Sequence, residues 1–192
     1  MKVNMKSKIH KLYYGLCTCK RCKNLCDEEF NTEDIRYGFG KLKGLHIGNN
    51  FLFVGMNPSN VRGIYGTFAF DGGFGLEFLR MINYLNECTI TNIVKCSTKN
   101  NKIDERLINK CGNRFLLKEI QILKPKVIVP LGKQVAKFFD AELYKESIFE
   151  YNDREAIVFP INHPNYVLSY GGMSVDDYKH ILDTLYKAYT NE

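Results

Sequence analysis

No stretch of this 192-residue chain approaches the run of ~20 apolar residues that a bilayer-spanning helix needs. Its lysine-rich start is not followed by the apolar segment that directs export. Both absences argue against secretion and membrane insertion. Internal repeats, low-complexity tracts and linkers are missing too, so one domain over 1–192 is expected. Nor is charge of one sign in large excess. Lysine and arginine number 27 against 21 acidic residues, a net +6 that suits a polyanionic partner without requiring one. Apolar residues make up 45% and charged residues 25%, which excludes a disordered tail. A chain of this size can hide roughly 70% of its unfolded surface.

Cysteine is abundant instead. There are seven, and Cys17, Cys19, Cys22 and Cys26 fall within ten residues of the basic segment over about 1–30. Disulfide scaffolds are shorter, secreted and evenly counted. A reducing, cytoplasmic compartment with thiolates held by a metal fits better. Cys19 and Cys22 form a CxxC, the spacing at which two thiolates reach one ion. The second pair is either Cys17 with Cys26 or Cys96 with Cys111, and the spacing suits zinc and a [4Fe–4S] cluster alike. Cys88, just before a strand, reads as a small buried hydrophobe.

Beyond residue 30, short apolar runs alternate with amphipathic stretches. Phe51 to Val54, Thr89 to Val94, Lys126 to Leu131 and Ala156 to Ile161 read as strands buried on both faces. Helical stripes run through Leu76–Leu85, Leu107–Leu123 and Val135–Phe139, and a last helix opens at Ser174. This alternation predicts a three-layer α/β/α fold around a central, mostly parallel sheet of about four strands.

Such sheets carry their chemistry at the carboxyl ends of the strands. Three of those ends are unusual: Gly55-Met56-Asn57-Pro58, Asn92 inside an apolar strand, and His163-Pro164-Asn165-Tyr166. Each has a plain structural explanation. An Asn-Pro turn needs no ligand, a strand amide can bond to neighbouring backbone, and a lone histidine often serves packing.

Taken in order, the motifs resemble the uracil-DNA glycosylase superfamily, and particularly its iron–sulfur branch, family 4. The resemblance rests on the CxxC, on FVGMNPS at 53–59, TNIVKC at 91–96, CGNRFLLKEIQILKPKVIVPLG at 111–132 and HPNYVL at 163–168. It implies a monofunctional glycosylase that acts in base excision repair on DNA, single- or double-stranded, as a monomer. Cys19, Cys22, Cys96 and Cys111 match the cluster ligands, which favours [4Fe–4S] over zinc. Asn57 and His163 match catalytic positions; Gly55, Met56, Phe70 and Asn92 match the base pocket. Tyr166, Val167 and Leu168 match the loop that enters the duplex, where Tyr170 could also fill the vacated stack.

The first motif departs from family 4, which looks like G-E-x-P-G where this chain has Met56, and has glycine where this chain has Ser59. Its Gly-Met-Asn-Pro form is similar to the single-strand-selective and mismatch-specific branches. That leaves the preferred base and strand open, along with an alternative function as a non-catalytic, metal-stabilised nucleic-acid-binding module. Lys20, Arg21, Lys23, Lys95, Lys99 and Lys102 are expected near phosphates.

Overall fold

Every residue of Phe51-Leu-Phe-Val-Gly55 is non-polar, and such a strand is stable only with both faces covered. In the computed structural model, which describes residues 7–9, 11–12, 19, 51–57, 88–95 and 103–190, this run forms β1 (Phe51–Gly55), buried throughout. β2 (Cys88–Asn92) and β3 (Val127–Pro130) lie parallel on its two sides, also fully buried. β4 (Ser147–Tyr151) and β5 (Arg154–Val158) form an antiparallel hairpin whose β5 continues the sheet beside β3. The order is β2-β1-β3-β5-β4.

Among the described residues the sheet has five strands, in keeping with the expected central, mostly parallel sheet of about four. The additional one, β4, is an edge strand whose first four residues alternate between half-buried and exposed. Its two-residue loop, Asn152-Asp153, places Asn152 at φ 52°, a conformation asparagine tolerates.

Helices cover both faces. α1 (Glu105–Cys111) starts at Asp104, whose carboxylate accepts the Leu107 N–H at 2.6 Å. It runs into a π-helical turn (Gly112–Leu116) and then α2 (Leu117–Leu123), which stops at Lys124 in the left-handed region before Pro125. With α3 (Lys133–Phe138) these segments pack Phe115, Leu116, Ile120, Leu123 and Val135 on Leu52, Val54 and Ile128. Gly112 allows the close approach of the π turn to α3, because a Cβ there would lie 2.4 Å from the Phe138 ring.

The opposite face carries α4 (Pro164–Tyr170) and α5 (Val175–Thr190), which bring Val167, Tyr178, Leu182 and Leu185 onto Phe51, Phe53, Val127 and Val129. Ser174 caps α5 as expected, its Oγ accepting the Asp177 N–H at 3.0 Å. The alternation of β1 side chains between two cores is the three-layer arrangement that the pattern predicts. The stripe over 76–85 lies outside the described residues.

Candidate active site at the carboxyl ends of the strands

Backbone pairing continues past the strands and lines up the loops that follow them. Ile93 and Val94 N–H donate to the Gly55 and Met56 carbonyls, both at 2.9 Å, so the segment after Asn92 runs beside Asn57. Leu131 N–H donates to Val54 C=O at 2.8 Å, and Gly132 N–H to Ile161 C=O at 2.7 Å, which carries the series across to His163. Asn92, Asn57, Gly132 and His163 thus occupy four neighbouring strand ends. Three strand spacings of ~4.8 Å put the backbones of Asn92 and His163 roughly 14 Å apart, and a planar base fits between side chains projecting from them.

His163 caps α4, and its Nδ1 accepts the Asn165 N–H at 3.2 Å. A ring nitrogen that accepts carries no proton, so the neutral imidazole bears its hydrogen on Nε2. Burial holds the group below the ordinary histidine value, which keeps it neutral at pH 7. Gly132, at φ 96°, passes beneath it; a Cβ there would touch the His163 Cβ at 3.6 Å.

Asn92 is 2% exposed, yet its Nδ2 has no hydrogen-bond partner among the described residues. A native structure rarely leaves such a group unpaired, because the omission costs about 1–3 kcal/mol. Asn57 is half-buried at the mouth of the β1 loop. Gly55 pairs with Asn92 across the β1–β2 ladder, and Met56 turns its side chain against the first core.

Directly behind Asn92 lies a buried polar network that the sequence does not reveal. Lys95 Nζ donates to Thr91 Oγ1 at 2.6 Å and to Glu119 Oε2 at 2.5 Å, and Thr91 Oγ1 donates to the same carboxylate at 2.8 Å. Lys95 is 1% exposed and Glu119 is fully buried. The expectation that Lys95 faces a phosphate is therefore corrected: its charge is spent on Glu119. Burial pulls the ammonium down from the usual lysine value, while Glu119 opposes that shift. The signal available in the sequence was Glu119 itself, an acid inside an otherwise apolar helical stripe.

Cys19 and Cys111 both lie at the edge of the first core, half-buried. Cys111 Sγ accepts the Lys95 N–H at 3.4 Å, so the residue just before Cys96 touches the Cys111 sulfur. That contact fits the pairing of Cys96 with Cys111. Cys22, Cys96, Cys17 and Cys26 lie outside the described residues, and among the described residues no three ligand-type side chains gather. Phe70 and the lysines and arginine expected beside the cysteines, other than Lys95, also lie outside them.

α4 divides the residues expected at DNA. Val167 is 4% exposed and packs in the second core, so it supports the helix and does not face a duplex. Tyr166 and Tyr170 are 45% and 79% exposed, with ring centroids 6.4 Å apart. Leu168 belongs to the same helix.

Comparison with known proteins bears on this arrangement. Residues 45–186 match the family model described as the uracil DNA glycosylase superfamily. A type-4 uracil-DNA glycosylase of Sulfurisphaera tokodaii is 29% identical, the match covering 81% of this chain and 74% of that protein. One from Thermotoga maritima is 30% identical over 78% of this chain and 79% of its own length. A third, from Archaeoglobus fulgidus, is 31% identical over 64% and 70%. A family match spanning all five described strands and both helical layers, joined to relatives of one type, places this chain in the uracil-DNA glycosylase superfamily, on its family 4 side.

Proposed function

We propose that this protein hydrolyses the N-glycosidic bond of uracil flipped out of DNA, leaving an abasic site. The observation that carries the reading is the Nδ2 of Asn92, buried at a strand end and without a hydrogen-bond partner among the described residues. An amide with a spare donor suits a base edge. Nδ2–H donates to uracil O4 while Oδ1 accepts N3–H; cytosine presents the reverse pattern and is refused.

Cleavage passes through a cationic sugar and a departing base whose negative charge collects on O2. The Nε2–H of neutral His163 is the donor for that oxygen, and a preformed donor is worth most where water is excluded. Asn57 holds the attacking water on the opposite face of the sugar. An amide is a weak base, so the water is positioned rather than strongly deprotonated. The base must leave the stack to reach this pocket. Phe70 stacks on it there, and Tyr166, Leu168 and Tyr170 fill the space it vacates.

The decisive assay is release of free uracil from a uracil-containing oligonucleotide, followed by alkaline cleavage at the abasic site. Binding without release would make the chain a nucleic-acid-binding module, the role the apolar Met56 would then suit. Asn92→Asp tests the reading of the base. It sets an acceptor against O4, so uracil release should fall by at least roughly tenfold. Wild-type release by that variant would move the pocket elsewhere.

The cysteines enter the same proposal. Cys19, Cys22, Cys96 and Cys111 hold a [4Fe–4S] cluster that ties the N-terminal segment to the sheet, a structural rather than redox contribution. Purified protein should be brown, and Cys111→Ala should lose that absorbance and much of its solubility. Stoichiometric zinc without iron in anaerobically prepared protein would overturn the assignment. The enzyme acts as a monomer in a reducing compartment.

A further inference from the structure

Asn162, the residue that precedes His163, has both of its backbone polar atoms held by phenols from distant parts of the chain. Tyr178, on α5, donates its hydroxyl to the Asn162 carbonyl at 2.7 Å. Tyr144, in the segment between α3 and β4, offers its oxygen to the Asn162 N–H at 3.4 Å. Tyr144 is tied in turn by its own N–H, which donates to Pro160 C=O at 2.7 Å. Asn162 lies between Ile161, bridged to Leu131, and His163, whose ring caps α4. The chain has no regular ladder of its own here, so without the two hydroxyls these backbone groups would have to find other partners.

The arrangement has more polarity than packing needs. Tyr178 sits in the second core at 0% exposure, among Phe53, Val129 and Leu182, where phenylalanine would fill nearly the same space. Its hydroxyl is directed at the one carbonyl that precedes the histidine. Gly132 bounds His163 from the other side.

We infer that Tyr178 is a positioning residue for His163, its hydroxyl setting the direction from which the imidazole meets the departing base, with Tyr144 as the weaker second anchor. This rests on the proposed role of His163 as donor to uracil O2. Displacing a catalytic donor by about 1 Å can cost on the order of 10²-fold in rate, and the Asn162 carbonyl is one peptide away from the group displaced.

Tyr178→Phe removes one oxygen atom and preserves the ring. Single-turnover uracil release should fall roughly ten- to a hundredfold, with DNA affinity unchanged and the melting temperature lowered by a few degrees at most. Two further readings separate positioning from a general loosening of the fold. In a His163→Ala background, Tyr178→Phe should cause no additional loss, because the hydroxyl then has no imidazole to aim. With 5-fluorouracil, whose anion is more stable and needs less help from a donor, the loss should shrink. Tyr144→Phe should show the same pattern at smaller amplitude.

Wild-type rates in Tyr178→Phe would overturn the inference. So would a loss that persists undiminished in the His163→Ala background, which would assign the hydroxyl to the fold alone. Either result leaves uracil excision itself standing. A wild-type protein that releases no uracil would instead remove the proposed function, and this inference with it.

Discussion

Asn57→Ala is expected to lose roughly 10²–10⁴ in the single-turnover rate of uracil release, the range for one group that positions or activates a nucleophile. The β1 loop fixes Asn57 beside the segment after Asn92, with the Met56 carbonyl engaged by the Val94 N–H at 2.9 Å. Asn57 is not among the residues expected at phosphates, so DNA affinity should stay near that of the wild type. A carboxylate at this place would hold the same water and also face the cationic sugar. Asn57→Asp should therefore keep or exceed the wild-type rate. Rapid-quench measurement of both variants decides the matter: equal rates for Asn57→Ala and wild type would reduce this loop to an ordinary Asn-Pro turn.

The largest change in stability is expected at Lys95. Replacing it by methionine leaves the Glu119 carboxylate buried without its cation, a defect that costs about 3–5 kcal/mol. Pairing that change with Glu119→Leu removes the second charge, and buried ion pairs replaced by apolar residues are often close to neutral. Urea unfolding of the two variants should place the double variant well above Lys95→Met. If both are equally unstable, packing rather than charge governs this part of the core. Thr91, the third member of the network, immediately precedes Asn92 in β2, so loosening the pair should also impair the reading of the base.

Most of this architecture is legible in the residues, for identifiable reasons. Strands β1, β2 and β3 are covered on both faces, and continuous apolar runs such as Phe51 to Val54 have few other uses. β4 is not legible in the same way. Ser-Ile-Phe-Glu-Tyr is half polar and pairs on one side only, so it resembles the loops around it. The strand-end rule alone puts Asn57, Asn92 and His163 at the carboxyl ends of the sheet. Partners distant in sequence were beyond it. Lys95 beside a cysteine motif reads as a surface cation until Glu119, 24 residues later, is seen to face it. Tyr178 falls correctly on the buried stripe of its helix, but nothing local says that its oxygen reaches a carbonyl 16 positions earlier. The helical periodicity that makes Val167 a core residue was hidden behind its place in a motif.

The π-helical turn at Gly112–Leu116 makes the length of its helix a counted quantity. Cys111 receives the Lys95 backbone N–H, and Glu119, eight residues on, receives the Lys95 ammonium, so both must point toward the same lysine. In an unbroken α-helix eight residues amount to two turns and roughly 80° more, which would swing one of them away. The wider coil absorbs that excess. Deleting a single residue between Gly112 and Leu116 would let the helix relax to ordinary pitch with every side chain type retained. Seven residues at ordinary pitch fall only about 20° short of two turns, so the thiol and the carboxylate would still face the same lysine: the π turn holds one more residue than an α-helix needs here, without turning either partner away.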